Sequence, residues 1–229
     1  MKTIGLIGGM SWESSLEYYR VMNQAVKAEL GGLHSARILM NSVDFAPLRE
    51  LMCAGDWAGV GNRLADAART LESAGAELMV IGTNTMHKVA DRVAEAVSVP
   101  LVHIADATAE AARAGGYARV ALLGTIFTME DDFYVGRLQD HGFEVLVPEA
   151  GDRKLVDRVI FDELCRGEFL DGSRAEFLRI IEELAARGAE AVILGCTEIG
   201  LLVRPGDTDV PTLDTCRIHA ETVVRAALD

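Results

Sequence analysis

An eleven-residue segment occurs twice in this chain, and the two copies differ where chemistry would be done. GAELMVIGTNT (Gly75 to Thr85) aligns without a gap on GAEAVILGCTE (Gly188 to Glu198). Gly75, Ala76, Glu77 and Gly82 match Gly188, Ala189, Glu190 and Gly195, all at an offset of 113 residues (188 − 75 and 195 − 82). At that offset Thr83 falls on Cys196. A second pair, IGLIGG from Ile4 and VALLGT from Val120, repeats at an offset of 116 (120 − 4). Each half of the chain therefore carries two apolar runs that end in glycine. Copies that agree at strand ends matter because open α/β sheets bind ligands there.

The runs Ile4–Ile7, Arg37–Asn41, Leu78–Ile81, Pro100–Ile104, Val120–Leu123, Glu144–Val147 and Ala191–Leu194 read as strands. Amphipathic helical patterns such as Trp57–Ala74, Ser173–Arg187 and Asp214–Leu228 lie between them. Continuous apolar strands alternating with helices predict parallel sheets covered on both faces. The expected fold is α/β with two pseudo-symmetric lobes, each a parallel sheet flanked by helices, and the active site in the cleft between them. The expected division is residues 1–99 plus 212–229 for the N-terminal lobe and 100–211 for the C-terminal lobe.

Composition narrows the function classes. Half of the residues are hydrophobic, enough for a sizeable core, yet no run approaches the roughly 20 apolar residues of a membrane span. The apolar run Ile4 to Met10 is too short for a signal-peptide core and reads as a first strand. A net charge of −13 argues against nucleic acid or an anionic membrane as partner. The four cysteines, Cys53, Cys165, Cys196 and Cys216, show no metal-binding or CxxC spacing, so reduced thiols in a cytoplasmic protein are expected. His87 and His103 are not spaced as metal ligands and read as structural. GLIGGM is not a dinucleotide fingerprint and no phosphate-binding GxxxxGK loop exists, so nucleotide binding is not expected, and no metal-ligand spacing is present.

Cys196 follows a strand and a glycine. Backbone N–H groups in such a place are expected to lower a thiol's pKa and ready it as base or nucleophile. Thr83, its counterpart, is an alcohol and cannot act as an anionic base near neutral pH, but it can donate a hydrogen bond or relay a proton. The stretches GGMS (Gly8 to Ser11), TNT (Thr83 to Thr85), Gly124–Thr125 and Cys196–Thr197 all place small polar residues after strand ends, where exposed N–H groups suit a carboxylate. Arg49, read in a loop after the second strand, and Arg166 are candidates for a second carboxylate, with solvated surface arginine as the plain alternative. Glu198 could orient the Cys196 thiol, hold a substrate ammonium or cap a helix. The other cysteines read as structural.

GLIGGMSWESS, GTNTMHKVAD, LLGTIFTMEDDFY, FDELCRGEF and ILGCTEI together resemble the motifs of the aspartate/glutamate racemase family, over residues 4 to about 199. The resemblance implies a cofactor-independent amino-acid racemase, a homodimer, and two opposed cysteines that move the α-proton. It implies substrate contacts from Met10, Ser11, Asn84, Thr85, Thr125, Thr128 and Thr197, with Arg49 and Arg166 at the side-chain carboxylate. The chain departs from the pattern at Thr83, where the family has its first cysteine, which places it in a Thr/Cys branch. Racemisation of aspartate or glutamate is the leading expectation, with Cys196 and Thr83 catalytic. A one-thiol decarboxylase of malonate-type acids and a non-catalytic module binding an amino acid or dicarboxylate are the alternatives.

Overall fold

Each half of the chain forms four parallel strands, and the two halves order them identically. The computed structural model describes residues 1–229. In the first sheet β1 (Ile4–Gly8), β2 (Ile38–Ser42), β3 (Leu78–Ile81) and β4 (Leu101–Val102) lie in the order β2-β1-β3-β4. In the second, β5 (Arg119–Gly124), β6 (Glu144–Leu146), β7 (Ala191–Gly195) and β8 (Thr212–Asp214) lie in the order β6-β5-β7-β8. Every pairing is parallel. The repeat in the sequence is thus a repeat of topology. The expected strand Pro100–Ile104 shortens to β4 because Ile104 already starts a helix, and β8 has no counterpart among the expected strands.

Helices carry each crossover. The first half contains α1 (Trp12–Leu30), α2 (Phe45–Cys53), α3 (Trp57–Ser73) and α4 (Ala90–Glu95). The second contains α5 (Ile104–Ala114), α6 (Ile126–Glu130), α7 (Asp132–Asp140), α8 (Ala150–Asp162), α9 (Asp171–Ala186) and α10 (Ile199–Leu202); α11 (Thr215–Leu228) closes the chain. The chain divides into residues 1–103 with 219–229, and residues 104–218. Pairing of β4 with β3, and of β8 with β7, keeps both edge strands with their own sheets. None of the helices is long and apolar enough to cross a membrane.

The GAE copies have a structural job. Gly75 and Gly188 adopt φ of +99° and +98°, the left-handed turn that lets a helix end and a strand begin. The next glutamate then fixes strand register. Glu77 accepts from the Thr3 N–H at 2.8 Å, while its own N–H donates to the Thr3 carbonyl. Glu190 accepts from the N–H groups of Ala118 and Arg119 at 2.6 and 2.9 Å, and its N–H donates to the Arg119 carbonyl. These backbone bonds hold both carboxyls below the usual carboxylate range.

Ile4, Leu6, Ile7, Met79 and Ile81 are buried in the first unit; Val120, Leu122, Ile193, Phe177 and Tyr134 are buried in the second. Each such side chain contributes about 1.5–3 kcal/mol through removal from water. The first unit also buries a polar pair that ties the last helix to the sheet. The His219 Nε2 lies 3.0 Å from the Val102 carbonyl, and its Nδ1 lies 2.7 Å from the Tyr18 hydroxyl. A carbonyl only accepts, so Nε2 carries the hydrogen and Nδ1 accepts from Tyr18. Burial holds the His219 pKa down at about 4, against an ordinary 6.5.

A histidine kept neutral costs stability as pH falls, because the unfolded chain takes up a proton that the folded one refuses. The loss begins near pH 6.5, reaches about 2 kcal/mol at pH 5 and saturates below about 4. The depressed carboxyls of Glu77 and Glu190 act in a lower window, where their contribution is present above about pH 4.5 and disappears below it. Urea unfolding of His219→Asn is therefore expected to show a lower stability at pH 7.5 but a flatter decline to pH 5 than the wild type. An equal decline in both proteins would show that His219 is not the group responsible.

Candidate active site

In both sheets the switch in strand order falls between the two central strands, so their carboxyl ends are where a crevice forms in an open α/β sheet. In the first unit these are the ends of β1 and β3. The chain leaves β1 through Gly9 at φ +88°, where a Cβ would sit 2.2 Å from the Val43 carbonyl oxygen, so no other residue fits. Ser11 then caps α1, its Oγ accepting from the Ser14 N–H at 3.2 Å. Ser15 Oγ accepts from the Gly9 N–H at 2.7 Å and donates to the Ser11 carbonyl at 2.9 Å. Ser14 Oγ donates to the Gly82 carbonyl at 3.1 Å and so ties this loop to the end of β3. Met10 and Ser11 are both buried in it.

After β3 the chain bends at Thr83 and enters a 3₁₀ turn, Thr85–Val89. Thr83 is partly exposed, whereas Asn84 and Thr85 are buried. The Thr83 carbonyl accepts a hydrogen bond from the His87 Nδ1 at 2.7 Å. The His87 ring packs edge-on to that of His103, with centroids 4.5 Å apart. His87 thus positions the loop that carries Thr83, a role invisible in the sequence, where only its four-residue spacing from Thr83 could have signalled it.

The second unit repeats the arrangement with different side chains. Gly124 and Gly195 are register partners at the ends of β5 and β7. A Cβ on Gly195 would lie 2.8 Å from the Leu123 carbonyl oxygen, and one on Gly124 2.9 Å from the Gly195 carbonyl oxygen. Both glycines are needed for the strand ends to run this close. Thr125 caps α6 by accepting from the Thr128 N–H at 3.3 Å, and the two hydroxyls are 3.1 Å apart. Thr128 is fully buried. Asp157 reaches the next N–H, that of Ile126, at 2.8 Å.

Beyond Gly195 three donors converge on one carboxylate. Cys196 Sγ–H donates to Glu198 Oε2 at 3.0 Å, and Thr197 Oγ1 donates to the same oxygen at 2.8 Å. Cys165 Sγ–H approaches the other oxygen, Oε1, at 3.9 Å. Glu198 is 1% exposed and Cys196 9%. The Cys196 pKa is pushed well above the ordinary thiol value, first by burial and then by the negative charge of Glu198. The expectation from sequence was the opposite, a thiol made acidic by backbone N–H groups. Cys196 is succeeded by a turn and the four-residue α10, too short for a strong N-terminal field, and a carboxylate in contact outweighs it. The resting group is a thiol that shares its proton with a buried carboxylate.

Both arginines lie in helical segments. Arg49 lies within α2, not in a loop, because Asp44 caps the helix ahead of it. Its Nη1 donates to Cys53 Sγ at 3.0 Å. Arg166 sits in a 3₁₀ turn, Leu164–Arg166, with its side chain 65% exposed and 3.9 Å from Asp162. The strand ends thus gather Met10, Ser11, Thr83, Asn84 and Thr85 in one unit and Thr125, Thr128, Cys196, Thr197 and Glu198 in the other. Cys165, expected to be structural, belongs with Glu198.

A family profile described as Asp/Glu/hydantoin racemase matches residues 7–223. Among curated proteins, the broad specificity amino-acid racemase RacX of Bacillus subtilis is 23% identical over 163 residues, 71% of this chain and 70% of its own. Among solved structures, a candidate Asp/Glu racemase from Yersinia pestis is 51% identical with a TM-score of 0.92, covering 100% of both chains. An aspartate racemase homologue from Pyrococcus horikoshii is 36% identical with a TM-score of 0.86, again over 100% of both.

If the Glu198 charge holds the Cys196 thiol uncharged, its removal should expose the thiolate. Iodoacetamide at pH 8 is expected to label exposed Cys53 well before Cys196, as followed by peptide mass spectrometry. Glu198→Gln should then raise the labelling rate of Cys196 several-fold. A rate unchanged or lowered would contradict the electrostatic assignment.

Proposed function

The chain belongs to the Asp/Glu/hydantoin racemase family, and from that premise we propose that it interconverts the enantiomers of an acidic amino acid by moving the α-proton, with Cys196 and Thr83 serving opposite faces of the α-carbon. It is an isomerase of the amino-acid racemase type. The observation that carries the mechanism is the 3.0 Å contact between the Cys196 thiol and a buried carboxylate. An α-proton is abstracted by a thiolate, and this thiol has its own proton acceptor beside it.

In the first step the Cys196 proton moves to Glu198 Oε2, and the thiolate takes the α-proton. Charge that develops on the substrate α-carboxylate as an enediolate is met by N–H and hydroxyl groups after the strand ends, those of Ser11, Asn84, Thr85, Thr125 and Thr197 among them, with Met10 and Thr128 shaping the same loops. Such donors act without reorganisation because caps and glycine turns already hold their loops. Thr83, or water beside it, returns a proton to the other face. No cofactor enters this chemistry.

Thr83 makes the two directions unlike. An alcohol donates a proton to a carbanion readily but is a poor base near neutral pH. Each direction therefore has its own slow step, while the equilibrium constant between enantiomers stays at one. Support for the substrate class comes from the Pyrococcus relative, an aspartate racemase homologue, and from Arg49 and Arg166 as cations for a second carboxylate. Each would exchange its present partner, Cys53 or Asp162, for substrate. The resemblance adds a homodimer, and four cysteines outside any disulfide fit a cytoplasmic location.

The test is α-proton exchange in D₂O, followed by NMR for both enantiomers of aspartate, glutamate and a panel of neutral amino acids. Cys196→Ala is expected to lower exchange by about 100-fold or more. Thr83→Cys should accelerate the slower direction. Exchange that survives Cys196→Ala at the wild-type rate would overturn the proposal, as would carbon dioxide release from substituted malonates without α-proton exchange.

A further inference from the structure

A racemase cycle that uses unlike groups on its two faces leaves the enzyme unbalanced. When Cys196, having passed its own proton to Glu198, takes the α-proton and the Thr83 side supplies one, the Cys196–Glu198 pair ends with one proton too many, a thiol beside a neutral acid. That proton must leave before the next turnover in the same direction. Cys196 is nine-tenths buried, and bound substrate would cover what remains. An exit behind it is required, and Glu198 is itself 1% exposed, so the carboxylate alone does not reach water.

Cys165 supplies the missing connection. It lies in the 3₁₀ turn Leu164–Arg166 and is partly exposed. Its thiol addresses Glu198 Oε1, while Cys196 addresses Oε2. The two thiols thus bracket one carboxylate, one from the buried side and one from a position that solvent touches. We propose that Cys165 is a positioning and relay residue, through which Glu198 exchanges the Cys196 proton with solvent. This rests on Cys196 as the α-proton base.

The steps balance. Turnover leaves Cys196 as a thiol that holds the abstracted hydrogen and Glu198 as the neutral acid that holds the original Cys196 proton. Cys165 gives its own proton to water and then receives the Glu198 proton, which restores the carboxylate and the outer thiol. One proton has left Cys196 for solvent, with no change of oxidation state. A sulfur can serve because its ordinary pKa of about 8.5 lies near neutral pH, so it both gives and takes a proton readily.

The relay predicts where an abstracted proton goes. With α-deuterated substrate in H₂O, deuterium held on Cys196 either returns to the substrate or washes out into solvent. The readout is the ratio of substrate washout to conversion, in the direction for which Cys196 is the base. In the wild-type full-length chain washout competes with return. Cys165→Ala is expected to lower the ratio several-fold and to reduce kcat with KM unchanged, whereas Cys165→Ser, whose weakly acidic hydroxyl can pass a proton only by accepting and donating in one step, should restore part of both. Where circular dichroism shows Cys165→Ala unfolded, Cys165→Val takes its place, as it fills the site without a transferable proton. An unchanged ratio in an active, folded variant would overturn the relay and leave Cys196 as base. A wild-type protein with no α-proton exchange on any amino acid of the panel would overturn the base assignment and the relay with it.

Discussion

Strand register, set by a glutamate in each unit, decides where everything else in this protein lies. Glu77 and Glu190 close each helix-to-strand turn by bonding backbone N–H groups of the neighbouring central strand. Ile4 is thereby set against Leu78, and Val120 against Ala191. Side chains alternate along a strand, so a slip of one residue would turn buried positions outward and displace the strand ends. Six residues beyond each glutamate stand Thr83 and Cys196. The position of each proposed catalytic side chain is therefore counted out from a hydrogen bond at the opposite end of its strand.

This dependence explains why the framework is legible in the sequence. The offsets of 113 and 116 residues predict a repeated unit, and the strand orders β2-β1-β3-β4 and β6-β5-β7-β8 are that repeat. Glycines before Thr83 and Cys196 mark strand ends because a Cβ would crowd the Ile7 carbonyl oxygen at 3.2 Å in one and collide with that of Leu123 at 2.8 Å in the other. Less legible are features that depend on side-chain direction. The order Cys-Thr-Glu suggests that Glu198 could orient the thiol, but not that burial, followed by the carboxylate's charge, pushes the thiol's pKa up rather than down. Cys165 is 33 residues from Glu198 along the chain, so only folding joins them. β8 is a three-residue edge strand, too short for an alternation to register. The loop expected around Arg49 is a helix because Asp44 provides a cap, a local signal that the sequence does contain.

The uncharged Cys196 thiol has a mechanistic consequence. A permanently ionised thiolate would be open to alkylation and oxidation between turnovers. In the proposed mechanism the anion rests on Glu198, beside Thr197 and two thiols, and a thiolate forms only as a proton shifts across 3.0 Å. Burial penalises whichever of the two carries charge, so the penalty changes little as the proton moves between them. Burial raises the thiol's pKa against solvent without raising the barrier to the internal transfer in proportion.

Stored charge also makes the two units non-interchangeable despite a common scaffold. At the offset of 113 residues, the counterpart of Glu198 is Thr85. The first unit thus lacks the carboxylate as well as the thiol. In its place it has His87, which holds the carbonyl of the partly exposed Thr83. In the proposed mechanism the Thr83 hydroxyl is a donor, which needs no stored anion. A thiol placed at residue 83 would gain nucleophilicity but no built-in acceptor, so it would be an incomplete copy of Cys196. The asymmetry is a property of two residues and their supports, and it begins one residue beyond the glycine at which the two scaffolds still agree.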